Sequence, residues 1–158
     1  LTMRHVMNPI AETLTVELVY EGEGWLGFGF SSNGRMTGAS AVIGLPGQPL
    51  GPTNPGKYFM GGRTLGAVQL VPDIEQTLTD ASITHNATHS TMRFTKRLVE
   101  DGVLTINAYE KNTFIYATGV VNGLIPHNHE GALTLPLTSC QFASGGADAS
   151  NVLSSFHW

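Results

Sequence analysis

Two histidines one residue apart, His127-Asn128-His129, form the densest concentration of chemically active side chains in this sequence. On an extended chain, side chains two positions apart share a face. The pair is therefore placed to chelate a borderline metal such as zinc or copper. A metal centre needs at least one further protein ligand, and the sequence nominates none among His5, His85, His89 and His157, the rest of its 6 histidines. A surface loop that contains two histidines accounts for the same pattern. The second lead is Met36, in the polar loop Arg35-Met36-Thr37-Gly38 just after the turn dipeptide Asn33-Gly34. A thioether there either packs over a neighbouring apolar surface or acts as a soft, neutral ligand. The latter role suits haem iron with a histidine on the opposite side.

Other chemistry finds less support. There is no G-x-S-x-G elbow for a serine nucleophile, and Cys140 sits in no recognisable reactive context. The acidic residues are scattered, with no pair placed for glycoside hydrolysis. Gly22-Glu23-Gly24 is too short and too acidic to cradle a phosphate. A single cysteine precludes an internal disulfide, a multi-cysteine zinc site, a thiolate-held iron–sulfur cluster and covalent c-type haem. Cys140 either pairs outside this sequence or is buried as a small hydrophobe.

Short strands must position these residues, because period-two alternation dominates the chain. In residues 14–20 it puts Leu14, Val16, Leu18 and Tyr20 on one face. In residues 25–30, Leu26, Phe28 and Phe30 share a face, while Gly27 and Gly29 leave the other face open to close approach. Residues 39–45, 58–61, 91–98, 103–108, 113–119 and 132–137 read as further strands. The dipeptides Asn33-Gly34, Asp101-Gly102 and Asn122-Gly123 supply turns between them. Residues 46–56, with four prolines and three glycines, read as a long surface loop, and residues 72–78 as a short helical turn. Strands of this length and spacing predict one all-β domain, an antiparallel, immunoglobulin-like β-sandwich. Its core is expected at about residues 12–138, with a loose C-terminal segment at 139–158 that is loosest at 143–150.

Composition narrows the class of function. The 158 residues are 41% hydrophobic and only 13% charged, against roughly 25% charged in ordinary soluble domains. Eight basic and twelve acidic side chains give a net charge of -4, and no basic cluster is available for nucleic acid. The 19 glycines and 8 prolines interrupt every apolar run long enough to span a membrane. The sequence opens at Leu1 with no charged-then-apolar leader, so a mature product or an excised domain is expected. Asn86-Ala87-Thr88 fits the N-glycosylation pattern. With the low charge, it points to an extracellular glycoprotein.

Three segments resemble DOMON domains of the haem-binding kind, the group that includes the cytochrome domain of cellobiose dehydrogenase and the extracellular domains of b561-type membrane cytochromes. Gly24-Trp25-Leu26-Gly27-Phe28-Gly29-Phe30-Ser31, followed by Gly34-Arg35-Met36-Thr37-Gly38-Ala39-Ser40-Ala41-Val42-Ile43-Gly44, resembles the family's GW-x-G-F-S … G-x-M-x-G-(A/S)-D-x-V-I signature and is the most specific of the three. Thr91-Met92-Arg93-Phe94-Thr95-Lys96-Arg97-Leu98 resembles its t-x-x-F-x-R-x-L strand. Phe114-Ile115-Tyr116-Ala117-Thr118-Gly119, with a later His and Gly, resembles its f-i-W-A-x-G … H … G close. Ser40 stands where the family usually has Asp, and Tyr116 where it usually has Trp.

The resemblance implies one non-covalent b-type haem with Met36 as one axial ligand and His127 or His129 as the other. His127 is preferred because its four-residue step to Gly131 is closer to the family spacing, and His129 is the rival. The iron is expected in an apolar slot at one end or face of the sandwich, gripped between two layers of strands. Arg35 or Tyr116 is expected at a haem propionate. The implied role is one-electron transfer rather than catalysis, between a redox partner (a dehydrogenase, a membrane b561 cytochrome or a copper oxygenase) and an acceptor. Haem-free members of the family imply an alternative, a sugar-binding module with Trp25 or Tyr58 as a stacking platform. A metal-binding sandwich using His127 and His129 is a third reading.

Overall fold

The computed structural model describes residues 1–137 and 154–157. Among them lie eleven strands: β1 (Thr2–Asn8), β2 (Thr13–Glu21), β3 (Leu26–Phe30), β4 (Ala39–Gly44), β5 (Gly56–Met60), β6 (Val68–Leu70), β7 (Thr79–His85), β8 (His89–Arg97), β9 (Lys111–Thr118), β10 (His129–Pro136) and β11 (Ser154–His157). Antiparallel pairing arranges them in two sheets, in the orders β11-β1-β2-β8-β7 and β10-β9-β3-β4-β5-β6. The result is the expected single-domain β-sandwich.

Alternation fills the space between the sheets. β2 sends Leu14, Val16 and Leu18 inward, and β8 sends Met92 and Phe94, all at 0–1% exposure. They meet Leu26, Phe28 and Phe30 of β3, Val42 of β4 and Phe114 of β9 in one continuous core. Its centre is aromatic: Phe28 stacks on Phe114 at 5.2 Å between centroids and meets Phe30 edge-on at 5.6 Å. Each such ring contributes about 1.5–3 kcal/mol by leaving water.

The structure departs from expectation at several elements. β1 was not expected; it brings Met3, His5 and Met7 inward ahead of residue 12, so the core begins earlier than anticipated. β7 was also unexpected, because of its seven residues only Ile83 is buried. Within the C-terminal stretch expected to be loose, β11 pairs with β1. Cys140 and residues 143–150 lie outside the described residues. Residues 103–108 form a loop rather than a strand. Ile106 is anchored in the core and its N–H reaches Leu98 O at 2.8 Å. The amides of Asn107 and Asn112 then close the turn, with Asn107 N–H on Asn112 Oδ1 and Asn112 Nδ2 on Asn107 O, both at 2.7 Å. The expected loop at 46–56 is organised by buried Asn54, whose Oδ1 accepts from Leu45 N–H while Nδ2 donates to the carbonyls of Leu45, Gln48 and Pro49.

Alternation also drives a charge inward. Continuing the face of Met92 and Phe94, β8 buries Lys96, and β5 of the opposite sheet buries Lys57. Glu100, just beyond β8, joins them: its carboxylate binds Lys57 Nζ at 3.1 Å through Oε1 and Lys96 Nζ through Oε2. These side chains are 7%, 2% and 9% exposed for Lys57, Lys96 and Glu100 respectively. The Lys96 ammonium also lies 5.5 Å from the Phe30 ring centroid. One carboxylate thus bridges the two sheets. Burial holds Lys96 below the usual lysine value, against the opposing pull of Glu100. For Glu100, burial alone pushes upward, but hydrogen bonds from Lys96, Thr77 and Lys57 together with the Lys96 charge outweigh it and hold the carboxyl below its usual value.

Glu100→Gln leaves two buried ammonium groups without an anion, and its expected cost is about 3–5 kcal/mol in urea unfolding at pH 7. Because the folded-state value of Glu100 is depressed, its stabilisation is fully present above the unfolded carboxyl value of about 4.3 and is lost as pH falls through the folded value. The gap between wild type and variant therefore narrows in acid; a gap of constant size from pH 7 to pH 3 refutes the bridge.

Candidate functional site

The outward face of the second sheet is as distinctive as its inward face. Gly27 and Gly29 of β3 alternate with Leu26, Phe28 and Phe30, so they face away from the core, alongside Ala41 and Ile43 of β4 and Ile115 and Ala117 of β9. Small residues in the middle and larger ones around them make a concave floor, a cleft of about 600 Å³. Trp25 closes one end at 4% exposure. It packs so tightly on Gly119 that a Cβ there would stand 2.0 Å from its Nε1. That Nε1 is buried and has no hydrogen-bond partner among the described atoms. Gly29 is similarly obligatory, since its Cβ would meet Ile115 Cγ1 at 2.6 Å.

Loops supply the walls. Met36 lies on the β3–β4 loop, which is fixed by local hydrogen bonds: Ser31 Oγ donates to Arg35 O at 2.8 Å, and Asn33 Oδ1 accepts from Arg35 N–H at 2.9 Å. Gly38, at φ +82°, donates its N–H to Met60 O, and Ala39 N–H reaches back to Met36 O. So held, the Met36 side chain is half-buried against the cluster of Trp25, Ala39, Ala41, Ile43 and Met60. Another wall is the β9–β10 loop, where Leu124, Ile125 and His127 line the cleft. His127 Nε2 lies 2.9 Å from Glu130 Oε2, with side chains 36% and 67% exposed. Arg63 and Leu65 of the β5–β6 loop complete the rim.

The structure therefore brings Met36 and His127 to one cleft. It does not bring His129 there: that residue opens β10, pairs in register with Thr118 and is exposed. The expectation that both histidines share a face fails because only the second lies within a strand. The space between the two layers, where the iron was expected, is filled by the phenylalanine cluster, and the cleft lies on the outer face of one sheet. Arg35 and Tyr116 both line it. Trp25, offered as a sugar platform, is buried, and Tyr58 is half-buried against the same apolar cluster. Among the described residues no three His, Cys, Asp or Glu side chains gather as a metal-binding group. Reading the sequence alone did not single out Met60, Arg63, Leu124 or Glu130. Of these only Glu130, three residues after His127, carried a local signal.

Residues 6–119 match the family profile of the DOMON domain. The chain belongs to the DOMON family. Two solved structures share its fold. The cytochrome domain of Myriococcum thermophilum cellobiose dehydrogenase aligns with a TM-score of 0.58 and 14% identity over 86% of this chain and 74% of that one. The cytochrome b domain of pyranose dehydrogenase from Coprinopsis cinerea aligns with a TM-score of 0.56 and 11% identity over 84% and 73%.

A bulky residue in the floor of this DOMON cleft should fill it without disturbing the sandwich. Ala117→Trp is expected to abolish most of the fluorescence gain of the apolar dye ANS while changing unfolding stability by no more than about 1 kcal/mol. Undiminished dye binding would place the dye site elsewhere.

Proposed function

We propose that this DOMON chain is an extracellular electron-transfer module that carries one non-covalent b-type haem in the outer cleft, with Met36 and His127 as axial ligands and His129 as the rival to His127. The observation that carries this reading is the arrival of a thioether and an imidazole, from two separate loops, at the walls of one apolar cleft. The residues fit such a group. The cleft volume, about 600 Å³, lies within the roughly 300–1,000 Å³ of cofactor sites, and its floor is apolar. Trp25, Ile43, Ile115 and Leu124 keep water from it. One nitrogen of His127 is held by Glu130, the kind of carboxylate contact that orients an imidazole and leaves its other nitrogen to a metal. When bound by a thioether and an imidazole, the iron supplies reversible one-electron exchange with no position left for dioxygen.

The two similar structures are cytochrome domains of dehydrogenases, which supports a redox partner of that class over a membrane b561 cytochrome or a copper oxygenase. No helix among the described residues is long and apolar enough to cross a membrane. Asn86 is exposed in the β7–β8 turn, with its Oδ1 accepting from Thr88 Oγ1 at 3.0 Å. Glycosylation there, and with it secretion, belong to the same proposal.

Haemin added to the purified apoprotein should bind one to one and give sharp α and β bands on reduction. His127→Ala should abolish the low-spin reduced spectrum and His129→Ala should preserve it. Met36→His should keep the haem low-spin but lower its midpoint potential. Failure to bind haemin, or a spectrum and potential indifferent to both Met36 and His127, overturns the assignment.

A further inference from the structure

A second, smaller cavity lies on the inward side of the sheet that carries the cleft. It measures about 220 Å³ and is lined by Phe30, Ser40, Val42, Lys57, Lys96 and Val103. Glu75, in the turn between β6 and β7, also lines it, but is exposed and forms no ion pair with either lysine. The two ammonium groups are 7% and 2% exposed for Lys57 and Lys96, and they share the single carboxylate of Glu100. Two buried cations against one buried anion leave one positive charge in excess, in surroundings where unbalanced charge is costly. Burial, and the neighbouring Lys57 charge after it, hold Lys96 below the usual lysine value in spite of Glu100.

The hydrogen bonds are short of acceptors in the same place. Lys57 Nζ donates to Thr77 Oγ1 at 3.0 Å and to Glu100 Oε1 at 3.1 Å. Lys96 Nζ donates to Arg97 O at 3.2 Å and to Glu100 Oε2. An ammonium has three N–H donors, and among the described residues neither third donor meets an acceptor. Ser40 alternates with the outward-packed Ala39 and Ala41 and so faces inward; its Oγ is buried and has no partner among the described residues.

We propose that this inter-sheet cavity binds one small monovalent anion, held by Lys57, Lys96 and the Ser40 hydroxyl. A single negative charge balances the cluster, and one spherical acceptor can take all three spare donors. Phe30, Val42 and Val103 supply an apolar wall that suits a weakly hydrated ion. The site is separate from the outer cleft and independent of the haem reading.

The test compares thermal unfolding of the full chain in sodium chloride and in sodium gluconate, whose anion is too bulky for the cavity, at matched ionic strength. Chloride should raise the wild-type midpoint saturably, by about 2–4 °C. Ser40→Ala should shrink that rise. Ser40→Asp places a carboxylate in the cavity, so it should raise the midpoint in gluconate and abolish the response to chloride. Glu100→Gln, with two cations and no carboxylate, should respond to chloride more strongly than wild type. Should that variant fail to fold, the two Ser40 variants decide. Identical wild-type midpoints in the two salts, or a chloride response that both Ser40 variants keep in full, overturns the anion site.

Discussion

One five-residue strand works on both of its faces, and the architecture follows from that constraint. Every residue of β3 is buried. Its large side chains enter the core between the sheets, where Phe28 and Phe30 meet Phe94 and Phe114. Its glycines lie beneath the cleft. A strand with large side chains on both faces would fill the floor, and a strand with small ones on both would leave the core empty. Strict alternation of aromatic and glycine in Leu26-Gly27-Phe28-Gly29-Phe30 satisfies both demands.

The same two-residue rhythm sorts polar residues in the neighbouring strand. In β5, Lys57 turns inward to the buried carboxylate of Glu100, while the next residue, Tyr58, packs with the apolar cluster under the cleft. The apolar packing behind the cleft and the inter-sheet ion cluster thus involve consecutive positions of one strand. Removing Glu100 stresses the layer beneath the site as well as the contact between sheets. A buried ion cluster is a poor source of net stability, and its consequence here is positional: register in β5 and β8 is fixed, because a slip by one residue would turn Lys57 and Lys96 outward and leave Glu100 without a cation.

Most of the sandwich was legible in the sequence wherever alternation was uninterrupted, as in Leu14, Val16 and Leu18 or in Leu26, Phe28 and Phe30. It was obscured in β1, where the inward series Met3, His5, Met7 has a histidine at its centre, and in β7, where Ile83 alone marks the buried face. Residues 103–108 have strand-like composition, but two asparagines five positions apart fold the segment on itself, a contact that strand propensity does not encode. Among the residues that line the cleft, Met36 stood out in the sequence as an apolar residue in a polar turn and His127 as one of the H-x-H pair. The rest was hidden because a cleft rim is assembled from distant loops. Nothing near Arg63 in the chain reveals that it lies across the same opening as Arg35. The choice of an outer face over the inter-sheet space was equally hidden, because it depends on the phenylalanine cluster leaving no room between the layers.

Under the proposed ligation, two influences of the chain on the iron would oppose each other, and their exposure would weigh one against the other. A neutral thioether favours the reduced state. A carboxylate held against the imidazole makes that ligand more basic and favours the oxidised one. Met36 would act from a half-buried position against an apolar cluster. Glu130 is 67% exposed, and a carboxylate so placed shares its hydrogen-bonding capacity with water and is screened by salt. On that ligation the thioether would outweigh the exposed carboxylate, and the site would be biased toward accepting an electron. Glu130 is left chiefly to restrain the ring of His127, on a loop otherwise tied to the sheet through Asn128 N–H on Thr118 O at 2.8 Å.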